Sequence, residues 1–222
     1  MPERILILGG TREAAALARR LVGDGHHVTT SLAGRTKEPK PLAGDVRIGG
    51  FGATTGLTTY LIENRIERLI DATHPFAKQI SANAVEAARN AGVPLAVKTR
   101  LPWQRLAGDQ WIEVDNLAEA AKAIPGNARV LLALGSQHLA AFHERHDVFF
   151  LIRMVDAPQT PLPFAKHQLL LGRPQMSSQD EQEILKTHAI THIVCRNSGG
   201  TGAYAKIEAA RALVLPVIMI KR

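Results

Sequence analysis

Five times along this chain a short apolar run ends in a turn of glycine and hydroxyl residues, and a helix-patterned segment follows. The turns are Gly9-Gly10-Thr11, residues 49–52, Ala72-Thr73-His74-Pro75, Gly135-Ser136 and Asn197-Ser198-Gly199-Gly200-Thr201-Gly202. Strands alternating with helices of this length build mostly parallel sheets covered on both faces. Right-handed crossovers make such sheets Rossmann-like. Ligands of open α/β sheets bind outside the carboxyl ends of the strands, so all five turns belong on ligand-facing rims.

The pattern predicts strands over 5–8, 27–32, 45–48, 69–72 and 95–98 in the first half. Helices are expected over 13–22, over 57–65 with Thr54 or Thr55 as cap, and from Pro75 to Asn90. The last carries Phe76, Ile80, Ala84, Ala87 and Ala91 as its inward stripe. Residues 99–103 read as a linker. The second half predicts strands over 111–114, 130–134, 148–154, 169–171, 193–195 and 217–220, and helices over 117–123, 137–145, 178–187 and 203–212. The expected fold is α/β: two Rossmann-like parallel-sheet domains, 1–99 and 100–222, with a cleft between them.

Charge narrows the ligand. Lysine and arginine outnumber acids by 27 to 20, giving a formal net charge of +7, which favours an anionic partner. The cations are scattered and aromatics are only 5%, so neither a basic run nor a base-stacking platform supports nucleic acid. A small polyanion fits better. No apolar run reaches bilayer length and no signal-peptide pattern opens the chain, so no membrane role and a cytoplasmic location are expected. Cys195, the single cysteine, lies in an apolar run and reads as a buried strand residue. His138, His143 and His146 lack a well-placed third ligand, so no metal is expected. Neither a Gly-x-Ser-x-Gly elbow nor a Walker lysine is present. A monomer is compatible with everything read here.

Gly9, Gly10 and Thr11 join a strand to a helix, where unpaired N–H groups and a positive dipole end suit a pyrophosphate. The spacing is Gly-Gly-Thr-x-Glu rather than GxGxxG, and a tight turn without a ligand uses glycine too. After the second strand no acid is available for a ribose 2′-hydroxyl; Ser31, Arg35 and Thr36 stand there instead and suit a 2′-phosphate, favouring NADPH over NADH. Asp71 closes a strand, Thr73 is a natural cap, and His74 brings a titratable ring to the rim. Residues 197–202 form a further anion-binding turn, with Tyr204 and Lys206 just beyond; tight helix packing is the competing explanation.

These stretches together resemble the precorrin-6A reductase family of cobalamin biosynthesis. The carriers are Ile-Leu-Gly-Gly-Thr-x-Glu at the start, Asp-Ala-Thr-His-Pro-Phe-Ala at 71–77, Arg100-Leu101-Pro102-Trp103, and Asn-Ser-Gly-Gly-x-Gly at 197–202 with Lys206 beyond. The resemblance implies NADPH-dependent reduction of one double bond in a polycarboxylate, tetrapyrrole-derived ring. Hydride would pass from nicotinamide C4 to an electron-poor ring carbon, and a proton to its neighbour. Gly9, Gly10, Thr11, Ser31, Arg35, Gly50, Phe51, Asp71, Ala72 and Thr73 are the expected cofactor residues. Arg12, Lys78, Arg100, Asn197, Ser198, Gly199, Gly200 and Lys206 are expected to meet substrate. His74 and Tyr204 are candidate proton donors beside water. The motifs do not separate a metal-free ring from its cobalt form. Two other readings stand: a reductase of a different polyanion, and a non-catalytic NADP(H)-binding redox sensor.

Overall fold

The apolar run Ile5-Leu6-Ile7-Leu8 is buried on both faces and forms the middle of a five-stranded sheet. The computed structural model describes residues 1–34 and 41–222. It divides into two units, Met1–Arg100 and Leu101–Arg222.

In the first unit, β1 (Arg4–Leu8), β2 (His27–Leu32), β3 (Asp45–Ile48), β4 (Arg68–Asp71) and β5 (Leu95–Val97) take the order β3-β2-β1-β4-β5. Every pairing is parallel. Successive side chains of β1 point to opposite faces. Ile5 and Ile7 pack with Ala14, Ala18 and Leu21 of α1 (Arg12–Gly23). Leu6 and Leu8 pack with Leu57 and Leu61 of α2 (Ala53–Glu63) and with Ala84 and Ala87 of α3 (Lys78–Ala91). The helices that follow the adjacent strands β1 and β4 thus lie on opposite faces. That reversal opens a crevice at the carboxyl ends of β1 and β4, where ligands of such sheets bind.

In the second unit, β6 (Gln110–Val114), β7 (Arg129–Ala133), β8 (Phe149–Met154), β9 (His167–Leu171), β10 (His192–Arg196) and β11 (Pro216–Ile220) take the order β6-β11-β10-β7-β8-β9. This sheet is also wholly parallel. Its helices are α4 (Leu117–Ala123), α5 (Ser178–Thr187) and α6 (Ala205–Ala212). Cys195 is a buried β10 residue beside Met219, and burial pushes its thiol pKa up.

Four local expectations are corrected. The segment 137–145 is not an α-helix but two short 3-10 turns, Ser136–His138 and Ala140–Phe142. Leu139, Phe142, Arg145 and Val148 recur every third residue, which suits the three-residue 3-10 repeat. Pro75 does not open α3: Ala77 N–H bonds His74 O at 2.7 Å, making a β-turn with proline at its second position. The cap of α2 is neither Thr54 nor Thr55 but Gly52, at φ +79°; Thr54 instead reaches Glu86 Oε2 at 3.0 Å. Trp103 is no linker residue, being only 8% exposed and part of the second core.

Candidate functional site

Two groups of candidate residues take shape, one in each unit. In the first, Gly9 N–H bonds the Ser31 carbonyl at 2.9 Å, tying the β1–α1 turn to β2. A Cβ at Gly9 would stand 2.7 Å from Thr30 Cγ2, so glycine here answers to packing. Gly10 is different. Its φ is +99°, and nothing lies within 4 Å of where a Cβ would stand. The backbone at Gly10 is therefore open to close approach by a ligand. Thr11 caps α1, accepting from Ala14 N–H at 3.1 Å and donating to Ala72 O at 2.9 Å. Ser31 is buried in β2. Arg35 and Thr36, expected at a 2′-phosphate, lie outside the described residues.

At the end of β4, Asp71 Oδ1 accepts from both Thr73 N–H (3.0 Å) and Thr73 Oγ1 (2.7 Å). The buried carboxylate thus folds the turn, and Thr73 Oγ1 lies 3.4 Å from Ser81 Oγ. Ala72 is buried, its carbonyl held by Thr11. His74 is half-buried, and its Nδ1 accepts from Phe76 N–H at 3.3 Å. In the neutral ring the proton then resides on Nε2.

A cavity of about 320 Å³ opens between the N-terminal ends of α2 and α3. Gly50 and Phe51 line it on one side, Phe76, Lys78 and Asn83 on the other. It brings two expected cofactor residues together with one expected substrate cation. Its volume is at the lower end of small-molecule sites. Arg47 stabilises its wall: the guanidinium bonds Gly49 O (2.6 Å) and Gly50 O (2.8 Å) and lies 3.9 Å from the Phe51 ring centroid. Sequence reasoning missed Arg47; the signal was its four-residue offset from Phe51 beside a glycine turn.

The expected substrate cations of this unit all follow carboxyl ends of strands. Arg12 opens α1, Lys78 opens α3, and Arg100 follows β5. Arg100 Nε pairs with Glu13 Oε2 at 3.3 Å.

In the second unit, the turn after β10 holds Asn197, Ser198, Gly199 and Gly200. The buried Asn197 amide turns inward, accepting from Trp103 N–H (2.7 Å) and donating to Trp103 O (3.0 Å). Gly199 and Gly200 have φ of +64° and +66°. A Cβ on Gly199 would overlap the Leu101 carbonyl and Arg222 Nη2. Arg222, also missed from sequence, donates to Asn197 O (2.9 Å) and Ser198 O (2.8 Å). Among the described residues, the N–H groups of Gly200, Thr201 and Gly202 have no acceptor. Successive main-chain N–H groups are the donors from which anion-binding concavities are built.

Beyond the turn, Tyr204 accepts from Arg211 Nη2 at 3.0 Å, and Arg211 pairs with Asp109. Lys206 is 4% exposed; Nζ donates to Ala203 O at 2.6 Å and lies 4.9 Å from the Trp103 ring centroid. Burial pushes its pKa down. His74 and Tyr204 belong to different units. No group of three or more potential metal ligands occurs among the described residues, and no helix is long and apolar enough to cross a membrane.

The first unit thus carries an open glycine turn at a helix head, and the second a glycine turn whose N–H groups lack acceptors among the described residues. The family model for the precorrin-6x reductase CbiJ/CobK matches residues 4–222. The chain belongs to this family. A precorrin-6A reductase of Rhodobacter capsulatus is 46% identical over 99% of this chain and 88% of its own length. Another, from Mycobacterium tuberculosis, is 43% identical over 99% and 88%. A cobalt-precorrin-6A reductase of Priestia megaterium is 28% identical over 98% and 90%. A solved CobK precorrin-6A reductase superimposes with a TM-score of 0.96 at 46% identity, covering 100% of this chain and 88% of that one. The family fixes the coarse function: a reductase acting on a precorrin in cobalamin biosynthesis.

Proposed function

We propose that the chain reduces one double bond of metal-free precorrin-6A, using NADPH, to the dihydro product precorrin-6B. The observation that carries the cofactor reading is the open, positive-φ backbone at Gly10 at the head of α1. It leaves room where a pyrophosphate meets unpaired N–H groups, so the residues present fit a dinucleotide. Gly9, Gly10 and Thr11 would hold the phosphates, with Ser31 and Arg35 at the 2′-phosphate. Gly50 and Phe51 offer the neighbouring cavity, and Asp71, Ala72 and Thr73 shape the rim. Bound NADPH supplies the hydride equivalent.

The substrate is a ring bearing many carboxylates. Arg12, Lys78 and Arg100 present cations along the rim of the first sheet. The turn holding Ser198, Gly199 and Gly200 presents N–H donors after β10, shaped by Asn197 and backed by Lys206. Long-range attraction by a chain of net charge +7 assists capture. His74 holds a proton at Nε2 and is the leading protein group for protonating the reduced ring's second carbon. Tyr204 is the lesser candidate, its oxygen already accepting from Arg211. The metal-free form is favoured because relatives named for it that match 99% of this chain are 43–46% identical, against 28% for the cobalt-named relatives that match 98% of it.

Anaerobic NADPH oxidation by the purified protein tests this, with precorrin-6A and its cobalt form as separate substrates. Faster turnover of precorrin-6A is the expected result. Tight NADPH binding without turnover of either ring overturns the proposal, and faster turnover of the cobalt form overturns its metal-free part.

A further inference from the structure

We infer that Trp103 is a positioning residue for substrate, aiming the N–H groups of the turn after β10. The inference rests on the proposed role of that turn in holding a ring carboxylate. Trp103 grips the turn at both ends. Its main-chain N–H and C=O exchange hydrogen bonds with the Asn197 side chain at 2.7 and 3.0 Å. Its indole Nε1 donates to Gly200 O at 2.7 Å. Between these points, the Leu101 carbonyl occupies the space where any side chain at 199 would stand.

The indole bond has a geometric consequence. In a trans peptide the C=O and the following N–H point in opposite directions. Holding Gly200 O against the indole therefore turns the Thr201 N–H away from Trp103. That N–H has no acceptor among the described residues. Gly200, at φ +66°, gives the peptide no steric reason to keep this orientation, since glycine moves readily between backbone regions. The indole supplies the constraint. The Trp103 ring also stands 5.6 Å from the Tyr204 ring and 4.9 Å from Lys206 Nζ, so one side chain sets the approach to α6 as well.

Trp103→Phe separates these roles. It removes the indole N–H but retains a ring beside Tyr204 and Lys206, and the main-chain exchange with Asn197 stays. The expected result is a KM for precorrin-6A raised about tenfold, the worth of one hydrogen bond. Turnover at saturation and NADPH affinity should stay within about twofold of wild type. An unchanged KM, or parallel loss of kcat and NADPH affinity, overturns the inference.

A second measurement uses the unaltered protein. The chain has two tryptophans, and Trp111 Nε1 is buried without a partner among the described residues. The two indole N–H signals are thus separable by NMR, and precorrin-6A should shift that of Trp103 but not that of Trp111. A static Trp103 signal overturns the inference. If turnover proceeds while the amides of 199–202 do not respond to precorrin-6A, the site reading itself fails. If those amides respond but Trp103→Phe keeps its KM, only the role of Trp103 fails.

Discussion

Thr11 and Ala72 are joined across the first sheet by a 2.9 Å hydrogen bond from the threonine hydroxyl to the alanine carbonyl. The same hydroxyl accepts from Ala14 N–H at 3.1 Å. One side chain therefore caps α1 and ties the β1–α1 turn to the end of β4, the two walls of the switch-point crevice. Thr11→Val keeps the shape and loses both bonds. Loss of a cap costs about 1 kcal/mol, and loss of a second hydrogen bond costs about as much again. Urea unfolding should show about 2 kcal/mol of destabilisation, with weaker NADPH binding. Thr11→Ser keeps the hydroxyl and should recover most of both. Equal losses in the two variants would mean that the methyl group contributes as much as the hydroxyl.

Gly9 and Gly10 should fail in different ways. At Gly9 a methyl group meets the buried Thr30 side chain at 2.7 Å and the Ser31 carbonyl at 3.4 Å. Gly9→Ala is an overpacking change, costing about 1–3 kcal/mol of stability. At Gly10 there is space, and the cost is the positive φ, roughly 1–2 kcal/mol. The added methyl also stands where phosphates are proposed to approach. NADPH titration should therefore find the larger affinity loss per unit of stability lost in Gly10→Ala. The reverse order would move the phosphate site away from Gly10.

Much of this division was legible in the sequence because the strands are continuous apolar runs. β2, β3, α4 and α5 have the bounds their patterns predict, and the remaining strands differ from expectation by one or two residues at one or both ends. Turns were harder to read. A capping threonine and one bonded to a neighbouring helix look alike until their partners are known: Thr54 suits a cap, but its hydroxyl reaches Glu86, and Gly52 at φ +79° caps α2. Pro75 suits a helix start and a β-turn equally. The outcome depends on Asp71, whose carboxylate accepts from both the Thr73 N–H and the Thr73 hydroxyl and so folds the backbone before the proline. The site shows the same limit. Its glycines were visible as a pattern, but the inward amide of Asn197 depends on Trp103, 94 residues away. Arg222, which braces the Asn197 and Ser198 carbonyls, carries no local signal.

Lys206 predicts a pH effect whose sign follows from burial. Desolvation lowers its pKa in the folded protein, while the unfolded chain keeps an ordinary lysine. Between the two values the unfolded state binds more protons, so this group's contribution to stability rises with pH until the unfolded lysine titrates, near pH ~10.4. Lys206→Met fills similar space without the charge. The stability difference, wild type minus Lys206→Met, should move in favour of wild type between pH 7 and pH 10. Urea unfolding of both proteins at the two pH values measures it, the other lysines cancelling in the comparison. A pH-independent difference would show that the ammonium is not desolvated. The same variant should raise KM for precorrin-6A if the ammonium backs the substrate turn.

Arg153 and Glu181 form a bidentate ion pair, 2.7 and 2.9 Å, with the carboxylate wholly buried and the guanidinium nearly so. Glu181 Oε1 also accepts from Gln175 N–H at 2.8 Å, so the pair ties β8 to α5 and to the segment before it. Desolvation offsets much of the attraction between two such charges, but breaking one partner leaves the other buried and unmatched. Glu181→Gln should therefore cost about 3–5 kcal/mol. The double change Arg153→Met with Glu181→Leu removes both charges and should recover most of that loss, leaving mainly the Gln175 N–H without its acceptor. Chemical denaturation of wild type, Glu181→Gln and the double variant compares the two losses directly. If the double variant is as unstable as Glu181→Gln alone, the pair is held by its hydrogen-bond geometry rather than by the need to keep a buried arginine neutralised. In that case Gln175 and the start of α5 should lose amide protection before the rest of the second sheet.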